Sequence, residues 1–155
     1  MQRVKRDRRQ GKSANTQAGE FVREEIDHIR EGKHGARSAK QAIAIGLSKA
    51  RRAGVAASAK RSTTSASTRR KARQDTAASK HPHAPSRTRS RGTTRALKRE
   101  SQQAASPTAL SRQAHKAAAK RSGASRSAAA RKAARTKGAS GRSGAARKAA
   151  RTRRA

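Results

Sequence analysis

Residues 19–54 read GEFVREEIDHIREGKHGARSAKQAIAIGLSKARRAG, and this stretch decides what kind of chain it is. Of eleven Leu, Ile, Val and Phe residues, Phe21, Val22, Ile26, Ile29, Ile43, Ile45 and Leu47 lie inside it and Val55 directly follows. Five of the eight acids, Glu20, Glu24, Glu25, Asp27 and Glu31, are here too. Val22, Ile26 and Ile29 fall at i, i+4 and i+7, which predicts a helix with one apolar stripe. Glutamates in its early turns suit the helix dipole, and Gly32 is a natural stop. Ser38-Ala-Lys-Gln41 fits a capping box opening a second helix over 39–53. Ile43, Leu47 and Ala50 line one face of it, and Gly54 ends it. Together the two predict an αα-hairpin.

Outward from the hairpin the composition turns against a globular fold. The chain has 155 residues, 42 Lys+Arg against 8 Asp+Glu and a net charge of +34. Eleven large apolar residues of 155 are far below what a core needs, and high net charge adds self-repulsion. Residues 55–155 carry 28 bases and two acids, Asp75 and Glu100, with Leu97 and Leu110 as the large apolar residues beyond Val55. The expected fold class is therefore mainly intrinsically disordered. A short N-terminal α-helical hairpin would precede an Ala/Arg/Lys-rich basic tail that becomes partly helical on nucleic acid. The domains expected are a basic arm over 1–18, the hairpin over 19–54 and a disordered tail over 55–155.

The tail repeats itself. Arg126-Ser-Ala-Ala-Ala-Arg-Lys-Ala-Ala-Arg-Thr136 recurs as Arg142-Ser-Gly-Ala-Ala-Arg-Lys-Ala-Ala-Arg-Thr152, and Lys116-Ala-Ala-Ala-Lys-Arg121 is a degenerate copy. Ala, Arg and Lys all favour helix, while like charges at i, i+4, such as Arg131 and Arg135, oppose it until phosphates neutralise them. With 28 Arg to 14 Lys, the chain favours the side chain that forks onto phosphate oxygens. Phe21 is the sole aromatic residue, so base-stacking platforms are missing and backbone contacts without sequence information are expected.

The expected nucleic-acid-binding residues are Arg3, Lys5, Arg6, Arg8 and Arg9 in the arm, then Lys49, Arg51 and Arg52 at the end of the second helix. In the repeats they are Arg126, Arg131, Lys132, Arg135, Arg142, Arg147, Lys148 and Arg151. A helix-turn-helix reading of the hairpin is the weaker one, because recognition helices contact bases from their N-terminal residues and this one offers Lys40 and Gln41 there. A packing or dimerisation element fits better.

Enzyme chemistry finds no support. There is no Cys, no phosphate-cradling Gly loop and no core to shape a cleft. Glu24, Glu25 and His28 read as solvated helix surface. His81 and His83 flank Pro82 with no carboxylate nearby, so no metal or other cofactor is expected. Ser86, Ser90, Ser111 and Ser125 each precede an Arg and could accept phosphate, which would weaken polyanion binding. No apolar run spans a membrane, and the basic N-terminus leads into no signal-type apolar segment.

Glu31-Gly-Lys33 followed by Lys40-Gln-Ala-Ile-Ala-Ile-Gly-Leu-Ser-Lys-Ala-Arg-Arg-Ala-Gly54 resembles a segment of small basic bacterial proteins described as DNA-binding or histone-like, an uncharacterised family. The resemblance covers about residues 19–54. It implies a bacterial source, a place in the cytoplasm at the nucleoid, and a chromatin-type role. The tail is similar in composition to linker-histone tails, although richer in Arg and with three prolines. The expected function is non-specific DNA binding with compaction or bridging, and the expected partners are duplex DNA and a second copy through 19–54, with no small-molecule substrate. RNA or ribosome binding is the alternative, and an adaptor whose hairpin holds a protein partner is another.

Overall fold

A computed structural model describes residues 2–57, 64–82 and 84–154, with parts of the last helix given by backbone alone. The elements are α1 (Gln2–Arg9), α2 (Ala14–Arg30), α3 (Ala39–Arg52), α4 (Ala66–Ala78), α5 (Arg87–Lys98), a 3-10 turn (Gln102–Ala105), α6 (Pro107–Ala119) and α7 (Gly123–Arg154). The chain divides into two units between His115 and Lys116.

The expectation of a mainly disordered chain is overturned. The 3-10 turn and four of these helices, α4 to α7, lie in the stretch read as a disordered tail, and the N-terminal arm forms α1. Serines cap helices, Ser38 as its spacing predicts and others in the regions expected to be disordered. Ser13, Ser38 and Ser65 accept from the backbone N–H of Thr16, Gln41 and Thr68. Ser106 and Ser122 accept likewise from Ala109 and Ser125 at 3.2 Å, satisfying donors that a helix start leaves open. Between the caps, Ala, Arg and Lys are among the strongest helix formers.

The core of the first unit is built from alanine, which a count of large apolar residues does not register. On α3 the buried positions are Ala39, Ala42, Gly46, Ala50 and Arg51, whereas Ile43 and Leu47 of the expected stripe are half-buried. On α2 the buried positions are Ala18, Phe21, Glu25 and Ile29, at i, i+3, i+7 and i+11. Small residues let the two backbones approach closely. A Cβ at Gly46 would stand 2.6 Å from the Val22 Cα, so glycine alone fits that crossing. Gly35 is a second such place, where a Cβ would meet the Glu100 carbonyl oxygen at 1.9 Å.

Two apolar clusters result. Ala18, Phe21, Ala50, Val55 and Ala57 form one, with Val4, Ala14 and Leu47 against it. Ile29, Ala36, Ala42, Ala104 and Ala105 form the other, with Ile26 beside it. Along the buried face of α2, Phe21 belongs to the first cluster and Ile29 to the second, and Glu25 falls between them. The hairpin is thus not left to bury its apolar surface alone, because α1, the segment after α3 and the 3-10 turn all contribute. Backbone bonds from Gly35 to Leu97 (2.9 Å) and from Ala36 to Ser101 (3.0 Å), and from the Arg30 guanidinium to Ala105 (3.0 Å), fasten the α2–α3 loop side to the chain after α5.

In the second unit, α7 is broken at Gly138, where φ is 63° and ψ 179°. The break lies between the two copies of the repeat, so each copy occupies its own helical segment.

Candidate nucleic-acid interface

Ion pairing sorts the cations into those used by the fold and those left to solvent. Seven of the eight acids pair with a base: Asp7 with Lys12, Glu20 with Arg3, Glu25 with Lys49, Asp27 with Arg23 and Arg30, Glu31 with Lys33, Asp75 with Arg52 and Lys71, and Glu100 with Arg37. Three of these acids are buried, namely Asp7, Glu25 and Asp75. Asp75 joins α4 to α3, accepting from the Ser48 hydroxyl at 2.8 Å and from Arg52 Nε at 3.3 Å. Lys33, 2.7 Å from Glu31, holds that exposed carboxyl below its ordinary 4.5, by hydrogen bonding first and by charge second.

The expected binding residues fall into three groups. Lys49, Arg51 and Arg52 are drawn into the fold. Lys49 meets Glu25, Arg52 meets Asp75, and Arg51 is buried with its Nε donating to the Ala57 carbonyl at 2.9 Å. The cations at the C-terminal end of α3 answer buried acids and a backbone carbonyl, with Arg51 buried and Lys49 and Arg52 still exposed to solvent. In α1, Lys5, Arg6, Arg8 and Arg9 are exposed, and Arg3, also exposed, lies 3.9 Å from Glu20. In α7, Arg126, Arg131, Lys132, Arg135, Arg147 and Arg151 are exposed, with Arg126 also donating to the Arg121 carbonyl at 3.0 Å. The side chains of Arg142 and Lys148 lie outside the described residues. Arg131 with Arg135, and Arg147 with Arg151, each stand at i, i+4 on one face of their segments.

Sequence reasoning missed α5. This helix buries none of its residues. Arg91, Arg95 and Lys98 fall at i, i+4 and i+7 on one face, and with Ser90, Thr94 and Arg99 they line a shallow concavity of about 450 Å3. From Arg91 to Lys98 the helix rises about 10 Å, which matches about three phosphates along one strand of a duplex. The signal was present as Arg-rich spacing of helical period, hidden because the region was not expected to be helical.

A second constellation was read differently from the sequence. Glu25 is not solvated helix surface, being 1% exposed. Glu25, His28 and His34 each offer one ligand atom, and these atoms lie within 4.8 Å of one another. No helix among the described residues is long and apolar enough to cross a membrane. Comparison with protein-family models, with curated proteins and with solved structures gave no match.

Proposed function

We propose that this protein binds duplex DNA without sequence preference, through phosphate contacts made by helices, and compacts or bridges it in a bacterial nucleoid. The observation that carries the reading is the division of charge. The acids are mostly paired within α1 to α4, while α5 and α7 present exposed cations at helical spacing with no acid after Glu100. Phosphate contacts of this kind position a protein on nucleic acid and supply affinity, but carry no sequence information. Phe21, the one Phe, Tyr or Trp residue, is 3% exposed in the core, so its ring is not offered to a splayed base. The resemblance of residues 40–54 to histone-like proteins supports the bacterial and nucleoid part of the proposal. Cations on more than one helical segment supply the several contacts that bridging needs.

The test is a binding competition with full-length protein, using random duplex DNA against structured RNA, for the wild type and for R91Q/R95Q/K98Q. Duplex DNA should win in the wild type. The triple variant should keep its helicity, bind more weakly and lose about three from its salt slope, one per phosphate contact removed. Stronger binding to structured RNA would replace the DNA reading with an RNA-binding one, and an unchanged slope would remove α5 from the interface.

A further inference from the structure

The buried carboxylate between the two apolar clusters is an odd occupant for that place. One oxygen of Glu25, Oε2, is met by the Lys49 ammonium. The other, Oε1, is buried and accepts no hydrogen bond, yet it faces His34 Nε2 at 3.3 Å. The opposite ring nitrogen of His34, Nδ1, lies 3.0 Å from the Gly35 carbonyl oxygen. A carbonyl only accepts, so that contact assigns the proton to Nδ1. On a neutral ring, Nε2 then points a lone pair at a carboxylate lone pair. A cation has to stand between them, and it is either a second ring proton or a metal ion.

Several features favour the metal. Two ligands on one tetrahedral ion, each about 2.0–2.1 Å from it, are separated by about 3.3 Å, the distance found here. A histidine whose other nitrogen donates to a backbone carbonyl is the usual arrangement of a metal ligand, because that bond fixes tautomer and ring orientation. His28, less than one turn after Glu25 on α2, brings a third donor, its ring set edge-on to His34 at 6.5 Å between centroids. His28 also borders a cleft of about 440 Å3 between α1 and α2, where three of the four lining acids pair with Arg3, Arg23 and Lys33, so its ring can be reached from solvent. Lys49 is the competitor, and its side chain is half exposed, free to release its ammonium to water.

We propose that Glu25, His28 and His34 form a binding site for a borderline divalent transition-metal ion, Zn2+ in chemistry, with a fourth position open to water. Two imidazoles and one carboxylate suit Zn2+ and its neighbours, not the oxygen-seeking Mg2+ or Ca2+. The ion would tie the loop after α2 to the buried face of that helix.

The experiment uses full-length protein freed of metal by a chelator. Zn2+ is titrated in by calorimetry, and Co2+ by its visible absorption. The proposal expects one saturable equivalent and the absorption bands of tetrahedral Co2+. H28Q and H34Q should each bind more than about tenfold more weakly while retaining wild-type circular dichroism. H115Q, which touches none of these groups, should bind like the wild type, and K49M more tightly than the wild type. Absence of a one-equivalent phase overturns the site and leaves a proton between Glu25 and His34. Wild-type binding by both H28Q and H34Q overturns it as well, by placing the metal elsewhere.

Discussion

Alanine placed at two helical glycines should change stability by unequal amounts, with Gly19→Ala the more stable variant. At Gly46 a Cβ would meet backbone atoms of the facing helix, 2.6 Å from Val22 Cα, 3.0 Å from Val22 N and 3.1 Å from the Phe21 carbonyl oxygen. None of these can swing aside as a side-chain end could, so α2 and α3 must part. Overpacking of this kind costs about 1–3 kcal/mol. At Gly19, within α2, nothing lies within 4 Å of the added Cβ. Gly→Ala inside a helix gains about 0.8–1 kcal/mol from propensity at either place. Gly19→Ala should therefore stabilise by about that amount. Gly46→Ala should gain the same and lose the steric cost, which leaves a difference between the variants of about 1–3 kcal/mol. Urea denaturation of both full-length variants, followed by circular dichroism, measures this difference. Equal shifts of the same sign would refute a close crossing of α2 and α3 at Gly46, and with it the alanine-built core.

Three further outcomes follow from individual contacts. Asp75→Asn weakens the bonds from Ser48 and Arg52 that hold α4 on α3, and the i,i+4 pair with Lys71 within α4. It should cost about 1.5–3 kcal/mol, seen as faster amide exchange across α4 with α2 unaffected. Arg51→Ala should lower stability and leave DNA affinity nearly unchanged, because its guanidinium faces the Ala57 carbonyl and not solvent. Loss of affinity in a stably folded Arg51 variant would contradict that placement. Glu31 should titrate below 4.5, and Lys33→Ala should move it upward, towards that value, by NMR. With its folded value lowered, any stability Glu31 supplies is present above its ordinary value and is lost as pH falls through the folded one.

The two helices of the central hairpin could be read because their ends carry local chemistry. Ser38 caps α3 through the Gln41 N–H as its spacing suggests, and α3 runs Ala39–Arg52 against an expected 39–53. What could not be read was which face turns inward. Apolar periodicity pointed to Ile43, Leu47 and Ala50; of these Ala50 is buried, but close helix approach sets the small residues Ala42 and Gly46 beside it and leaves Ile43 and Leu47 half-buried. The same blind spot explains the largest error. A chain that packs alanines and caps its helices with serine resembles a disordered one in composition, and it differs in where those residues stand. The burial of Glu25 was hidden for a related reason. It sits one turn from both Phe21 and Ile29 on the inward face, a register the Val22–Ile26–Ile29 stripe had assigned to solvent. That Arg51 is buried and that Lys49 and Arg52, though exposed, answer buried acids could not be read, because their partners Ala57, Glu25 and Asp75 are not marked in the sequence.

The affinity of full-length protein for two unrelated random duplexes, measured across a salt series, tests the central claim most directly. With about ten phosphates neutralised, log K should fall against log salt with a slope of about −9, and the lines for the two duplexes should coincide. A shallow slope, or a marked preference for one duplex, would contradict binding through helical cations on the phosphate backbone.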